Sequence, residues 1–340
     1  MTDSVELPSA PSVAIEPGPS HDIEIAHQLL DAVRGEISRH IFGQESVVEL
    51  ALAAILAGGH ALLVGAPGLA KTKLVAAIAR VLGADWARIQ FTPDLMPSDI
   101  IGAEVLEEDT TGKRHFRFIR GPVFTSLLMA DEINRASPRT QSALLQAMQE
   151  QHVTVAGTTY PLPQPFHVLA TQNPIEQEGT YPLPEAQLDR FLLQIDVSFP
   201  DFEAERRVLT ETTGNDEIAL RGILQPGQLV ALQRLVRQIP ISERILSSVL
   251  HLVRSARPGP DADPLVRDHV AWGPSPRAGQ ALILAARARA LLRGRLSPSL
   301  DDVFALAEPV LVHRMALNFT SLADGQTVRG LIAHLIERLP

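Results

Sequence analysis

The spacing of apolar positions changes several times along the chain. Over residues 23–39 and 44–57 they recur at helical intervals, and Ile41-Phe42-Gly43-Gln44 breaks the pattern between the two stretches. Ala61-Leu62-Leu63-Val64 is a continuous apolar run, too short for a helix and bounded by Gly58-Gly59 and Gly65, so it predicts a buried strand. Runs over 126–130 and 166–171 have the same character, which is that of strands buried on both faces of a parallel sheet. Between them the pattern predicts a helix with Ser137 as N-cap and Pro138 at its first position, turning Leu144, Leu145 and Met148 inward. Two hairpins interrupt the alternation. One covers 99–122, with Asp109-Thr110-Thr111-Gly112 as its turn, and the other covers 152–163 around Ala156-Gly157. After Phe199-Pro200 strand patterns disappear, and helical spacing fills 206–212, 226–237, 241–254, 276–293 and 328–338. The expected fold is therefore α/β, a parallel sheet flanked by helices over 22–200, followed by a smaller all-helical domain over 201–340. Residues 1–21, with Pro, Ser and acidic residues but no apolar periodicity, are expected to form a disordered tail.

Composition narrows the possible functions. A chain of 340 residues with 45% hydrophobic and 20% charged residues suits two domains with cores of their own. The absence of cysteine excludes a disulfide scaffold, a thiolate metal site and a cysteine nucleophile. A net charge of −9 argues against general affinity for nucleic acid, and the dense basic stretch Lys113, Arg114, Arg117 and Arg120 reads as a solvated hairpin face. Glu49, Gly58-Gly59 and His60 divide the apolar region 47–64, so no membrane span is expected. With no basic segment followed by an apolar core at the N-terminus, the expected location is cytoplasmic.

The candidate chemistry begins at Gly65, Ala66, Pro67, Gly68, Leu69, Ala70, Lys71 and Thr72, in the order strand, glycine loop, helix. Backbone N–H groups of such a loop face phosphates, Lys71 reaches their terminal oxygens, and the Thr72 hydroxyl can ligate Mg²⁺. Ala70 replaces the usual last glycine, which implies that the chain has already entered the helix there with negative φ. Asp131 and Glu132 end a buried strand on the same sheet edge, where Asp131 would hold Mg²⁺, directly or through water, and Glu132 would polarise the attacking water. Asn173 ends the next strand and has the right side chain to orient that water. Phosphoryl transfer also needs cations for the charge developing on the γ-phosphate. Arg190 is one candidate, with an ion pair to Asp189 or Glu185 as its other possible use. Arg277, in the first turn of a helix capped by Ser275, opposes the helix dipole and so implies an anion.

This ordered set, with Asp131-Glu132-Ile133-Asn134-Arg135-Ala136, Leu188-Asp189-Arg190-Phe191 and Ser275-Pro276-Arg277, resembles the MoxR family of AAA+ ATPases over residues 36–340. The resemblance implies a nucleotide domain with a helical lid, a helix-2 insertion at the first hairpin, ATP and Mg²⁺ as cofactors, and assembly into a ring of expected hexameric size. By the same likeness Asn173 is sensor one, Arg190 the arginine finger and Arg277 sensor two. It further implies chaperone-like maturation of a client complex, with a von Willebrand factor A domain protein as partner. A magnesium-chelatase-like motor subunit and a nucleotide-dependent scaffold with little turnover remain as rivals. Asn134-Arg135-Ala136 argues against the first and Glu132 against the second.

Overall fold

The computed structural model describes residues 19–108, 110, 112–176, 179–212, 219–259 and 262–339. The expected tail lies outside these except for residues 19–21, which open the first helix, Pro19–Ser38, ahead of its expected start. Asp109 and Thr111 of the first hairpin turn also lie outside.

Five strands form one parallel sheet: β1 (Ala61–Val64), β2 (Trp86–Gln90), β3 (Leu127–Asp131), β4 (His167–Gln172) and β5 (Leu193–Asp196), in the order β2-β3-β4-β1-β5. The three apolar runs are its centre, and β3 is buried at every position. The two edge strands carry no such run. In β2 only Ile89 is buried, and in β5 Leu193 and Ile195 alternate with Gln194 and Asp196. Polar side chains are tolerated there because an edge strand has a neighbour on one side only.

Successive side chains of β1 feed different cores. Ala61 and Leu63 join the helices Glu45–Leu56 and Lys71–Val81 on one face, while Leu62 joins Leu144, Leu145 and Met148 of the helix Pro138–Glu150 on the other. The second domain extends the first of these cores. Its long helix Pro276–Leu292 packs along Glu45–Leu56, and Glu49 there accepts hydrogen bonds from Arg289 at 2.8 Å and Arg293 at 3.2 Å. This domain is not wholly helical, since Val270–Trp272 pairs antiparallel with Ala316–Leu317. Strands of three and two residues are too short to leave a periodic signal.

Both hairpins form where expected, from Gly102–Glu108 with Arg114–Arg120 and from His152–Val155 with Thr158–Pro161. They touch through Phe118 stacked on Tyr160, with ring centroids 4.1 Å apart. Arg114 pairs with Glu108 and Arg117 with Glu107 across the exposed ladder, and Arg120 lies over the Phe124 ring. Among the described residues no helix is long and apolar enough to cross a membrane.

Candidate functional site

The loop after β1 leaves the sheet through Gly65, where a Cβ would stand 2.4 Å from the Val197 carbonyl oxygen, so only glycine lets the two chains pass. Gly68 has φ +85° with open space around it. Ala70 has φ +55°, not the negative value expected, and the helix begins at Lys71. The cradle therefore keeps the left-handed bend that a glycine would supply, and an alanine there costs about 1–2 kcal/mol. Lys71 Nζ donates to the carbonyls of Gly65 and Ala66, the latter at 3.1 Å. Burial lowers the Lys71 pKa, while the charges of Asp131 and Glu132 act to raise it. One ammonium thus lies among the loop carbonyls and faces both acids. Thr72 follows it in the first turn, where the positive end of the helix points at the loop.

Asp131 closes β3, nearly buried. Its Oδ1 accepts from Thr171 Oγ1 at 2.6 Å, and its Oδ2 accepts from Arg88 at 2.5 and 3.1 Å. Thr171 Oγ1 also accepts the Glu132 N–H at 2.8 Å, so one hydroxyl aligns both acids. Glu132 itself has φ +55°, an uncommon conformation for a non-glycine residue and one found at functional sites. Its Oε2 accepts from Gln90 Nε2 at 2.8 Å and from Arg135 Nη1 at 3.0 Å. Asn173, buried just past β4, accepts the Ile175 N–H on Oδ1 at 3.1 Å. Because β4 lies between β3 and β1, Asn173 falls between the acids and the phosphate loop. Among the described residues no group of three or more His, Asp or Glu could hold a metal ion. Thr72 and Asp131 are the residues that could hold Mg²⁺, with phosphate and water oxygens completing its shell.

The two candidate arginines are elsewhere. Leu192 N–H donates to His60 O at 2.8 Å, and Leu193 pairs with Ala61, so Arg190 lies at the sheet edge where β1 begins, not where the phosphate loop leaves it. The four residues of β1 set these edges about 10 Å apart. Arg190 Nη1 donates to the Leu145 carbonyl, and neither suggested ion pair forms: Asp189 turns to Arg314 and to Ser275. Ser275 caps the helix that carries Arg277, so this bond brings the exposed Arg277 to Arg190. Burial first, and then the Arg277 charge, disfavour the protonated form of Arg190, with Glu150 opposing. Among the described residues neither guanidinium has a carboxylate within ion-pair distance.

Sequence reasoning overlooked Arg88, Gln90 and Thr171, which hold the two acids. Their signal was weak: Arg88 and Gln90 belong to the polar edge strand, and Thr171 reads as the last residue of an apolar run.

Residues 60–193 match the family described as "ATPase family associated with various cellular activities (AAA)", and residues 263–333 match the AAA lid domain. The chain is 43% identical to the chaperone MoxR1 of Mycobacterium tuberculosis, over 93% of this chain and 83% of that protein. It is 33% identical to protein MoxR of Methylorubrum extorquens, over 90% of this chain and 93% of that one. A crystal structure of a protein from Cytophaga hutchinsonii, described as a candidate ATPase, superposes with a TM-score of 0.85 at 35% identity, covering 94% of this chain and 97% of the other. With its parallel sheet, its lid and relatives matched over most of their length, the chain belongs to the MoxR family of AAA+ ATPases.

Proposed function

We propose that this chain hydrolyses ATP in a ring, taken to be hexameric, and uses the cycle to remodel or mature a partner protein. The observation that carries the reading is the division of the site between two sheet edges: Lys71, Asp131, Glu132 and Asn173 serve one, Arg190 and Arg277 the other. A pocket lacking the arginines and an edge presenting two of them without carboxylate partners are complementary between adjacent copies. The proposed cycle places the triphosphate along the loop from Gly65 to Lys71, whose N–H groups and ammonium neutralise it. Thr72 and Asp131 would hold Mg²⁺, which supplies charge neutralisation on the phosphate oxygens. Glu132 takes a proton from the attacking water that Asn173 orients, after its carboxylate leaves Gln90 and Arg135. The neighbour's Arg190 and Arg277 offset the charge that develops on the γ-phosphate. On this reading the anion expected at Arg277 is the nucleotide bound in the neighbour's pocket.

The two hairpins are assigned to the client, because the Phe118–Tyr160 stack joins them and none of the nucleotide motifs falls within either. A von Willebrand factor A domain protein is the proposed partner and the cytoplasm the proposed location. Lys71→Ala and Glu132→Gln test the core of the reading. Titration with a fluorescent ATP analogue should show binding lost in the first and kept in the second, while phosphate release is slow in both. Equal loss of binding would contradict the roles given to these residues.

A further inference from the structure

The turn Val312–Arg314, which follows the lid helix Leu300–Leu311, places an arginine inside the molecule. Arg314 is 2% exposed, and all five of its N–H donors are used. Nε donates to Asp189 Oδ1 at 2.7 Å. The Nη atoms donate to the carbonyls of Asp189, Phe191, Leu192 and Val310 at 3.3, 2.6, 3.2 and 2.5 Å. The second Asp189 oxygen accepts from Ser275 Oγ at 2.9 Å, and His313 Nε2 lies 3.1 Å from the Phe191 carbonyl. Three side chains of the lid therefore grip residues 189–192, the segment that carries Arg190.

Stability is a poor explanation for this arrangement. Burying a guanidinium against one carboxylate forfeits the hydration of both, and apolar residues of the same volume often serve as well or better. A planar fork with five fixed directions gives something apolar packing does not, a set angle between two chain segments. Arg190 stands next to the clamped Asp189, and Ser275 stands two residues before Arg277, so the clamp orients both arginines at once.

We infer that Arg314 is a positioning residue: with Asp189 and Ser275 it aims Arg190 and Arg277 at the adjacent subunit's pocket, so that the lid of one subunit sets the hydrolysis rate in the next. This rests on the shared-site reading above. Arg314→Lys keeps the charge and removes the fork. It should bind ATP with unchanged affinity and lose about 10²-fold in kcat, the scale of loss when a catalytic group is held 1 Å out of place. Mixed with Lys71→Ala, which lacks ATP but keeps an aimed Arg190, it should regain hydrolysis, because its own pocket is intact. Arg190→Ala mixed with Lys71→Ala is the parallel control. Recovery in the control alone overturns the inference and leaves the shared site standing. With mixed rings verified by native mass spectrometry, failure in both overturns the shared site and this inference with it. A wild-type kcat for Arg314→Lys also overturns it. Should that variant not fold, Asp189→Asn, which leaves the four carbonyl acceptors in place, is mixed with Lys71→Ala in its stead: recovered hydrolysis supports the inference, and recovery in the control alone overturns it.

Discussion

Ala70 and Glu132 both hold left-handed backbone, one in the phosphate loop and one beside Asp131. Each costs about 1–3 kcal/mol, and such strain persists only where the surroundings over-determine it. Around Glu132 those surroundings are visible: Thr171 bonds its N–H, while Gln90 and Arg135 hold its carboxylate. Thr171→Val keeps the shape and removes the hydroxyl, leaving Asp131 Oδ1 and the Glu132 N–H without that partner. On the proposed role of Asp131 as a Mg²⁺ ligand, Thr171 is its outer partner, and loss of such a partner typically costs about 10–100-fold in metal affinity or activity. Initial rates across a Mg²⁺ titration should therefore show an optimum moved to higher Mg²⁺ or a kcat lower by about that factor. A titration indistinguishable from wild type would remove Thr171 from the site. The residues proposed to bind nucleotide could be picked out in the sequence because they sit in short contiguous motifs, Gly65 to Thr72 and Asp131-Glu132. Thr171 was not, because its role depends on register across two strands separated by some forty positions, and nothing local records that pairing.

At the scale of elements, the hairpins behave as appendages. The ion pairs of Arg114 and Arg117 are exposed, and pairs of that kind contribute about 0–1 kcal/mol. Replacing Lys113, Arg114 and Arg117 together by Ser should leave basal ATPase activity and the melting temperature nearly unchanged while weakening capture of a client or partner. A collapse of basal hydrolysis would place the hairpin in the active site or the ring interface. Alternation and an Ala-Gly or Thr-Gly turn made both hairpins readable, as continuous apolar runs did for β1, β3 and β4. The edge strands β2 and β5 escaped because an edge admits polar side chains, and β2 brought Arg88 and Gln90 into the site unseen. The side on which Arg277 lies also escaped. It depends on Pro276–Leu292 packing against Glu45–Leu56, a contact between elements more than two hundred residues apart.

Across the whole molecule, buried neutral histidines bind the layers together. His60 accepts the Val168 N–H and faces the Met148 carbonyl, and burial first, then the repulsion it would meet from a protonated His167, lowers its pKa to about 3 against an ordinary 6.5. His167, between Gly59 and Gln233, and His313, beside Arg314, are shifted the same way, with burial the leading cause. Below pH 6.5 the unfolded chain takes up protons that these histidines refuse when folded, so stability is complete above 6.5 and falls as the pH drops toward 3. Each contributes up to about 1.4 kcal/mol per pH unit. Glu49 and Asp302 act later. Burial would raise their pKa values, but their arginine partners hold them below 4.5 and 3.8, and that stability is lost only as the pH falls beneath those values. Urea midpoints should thus decline already between pH 6.5 and 5, and a flat response down to pH 4.5 would contradict neutral burial. The central claim, a site shared between copies, is tested most directly by mixing two defective proteins. Arg190→Ala keeps a pocket that binds ATP and should lose on the order of 10³-fold or more in hydrolysis. Lys71→Ala has no usable pocket and an intact Arg190. When rings containing both are verified by native mass spectrometry, the account predicts phosphate release well above that of either protein alone, and a rate that stays at the level of the separate mutants would contradict it.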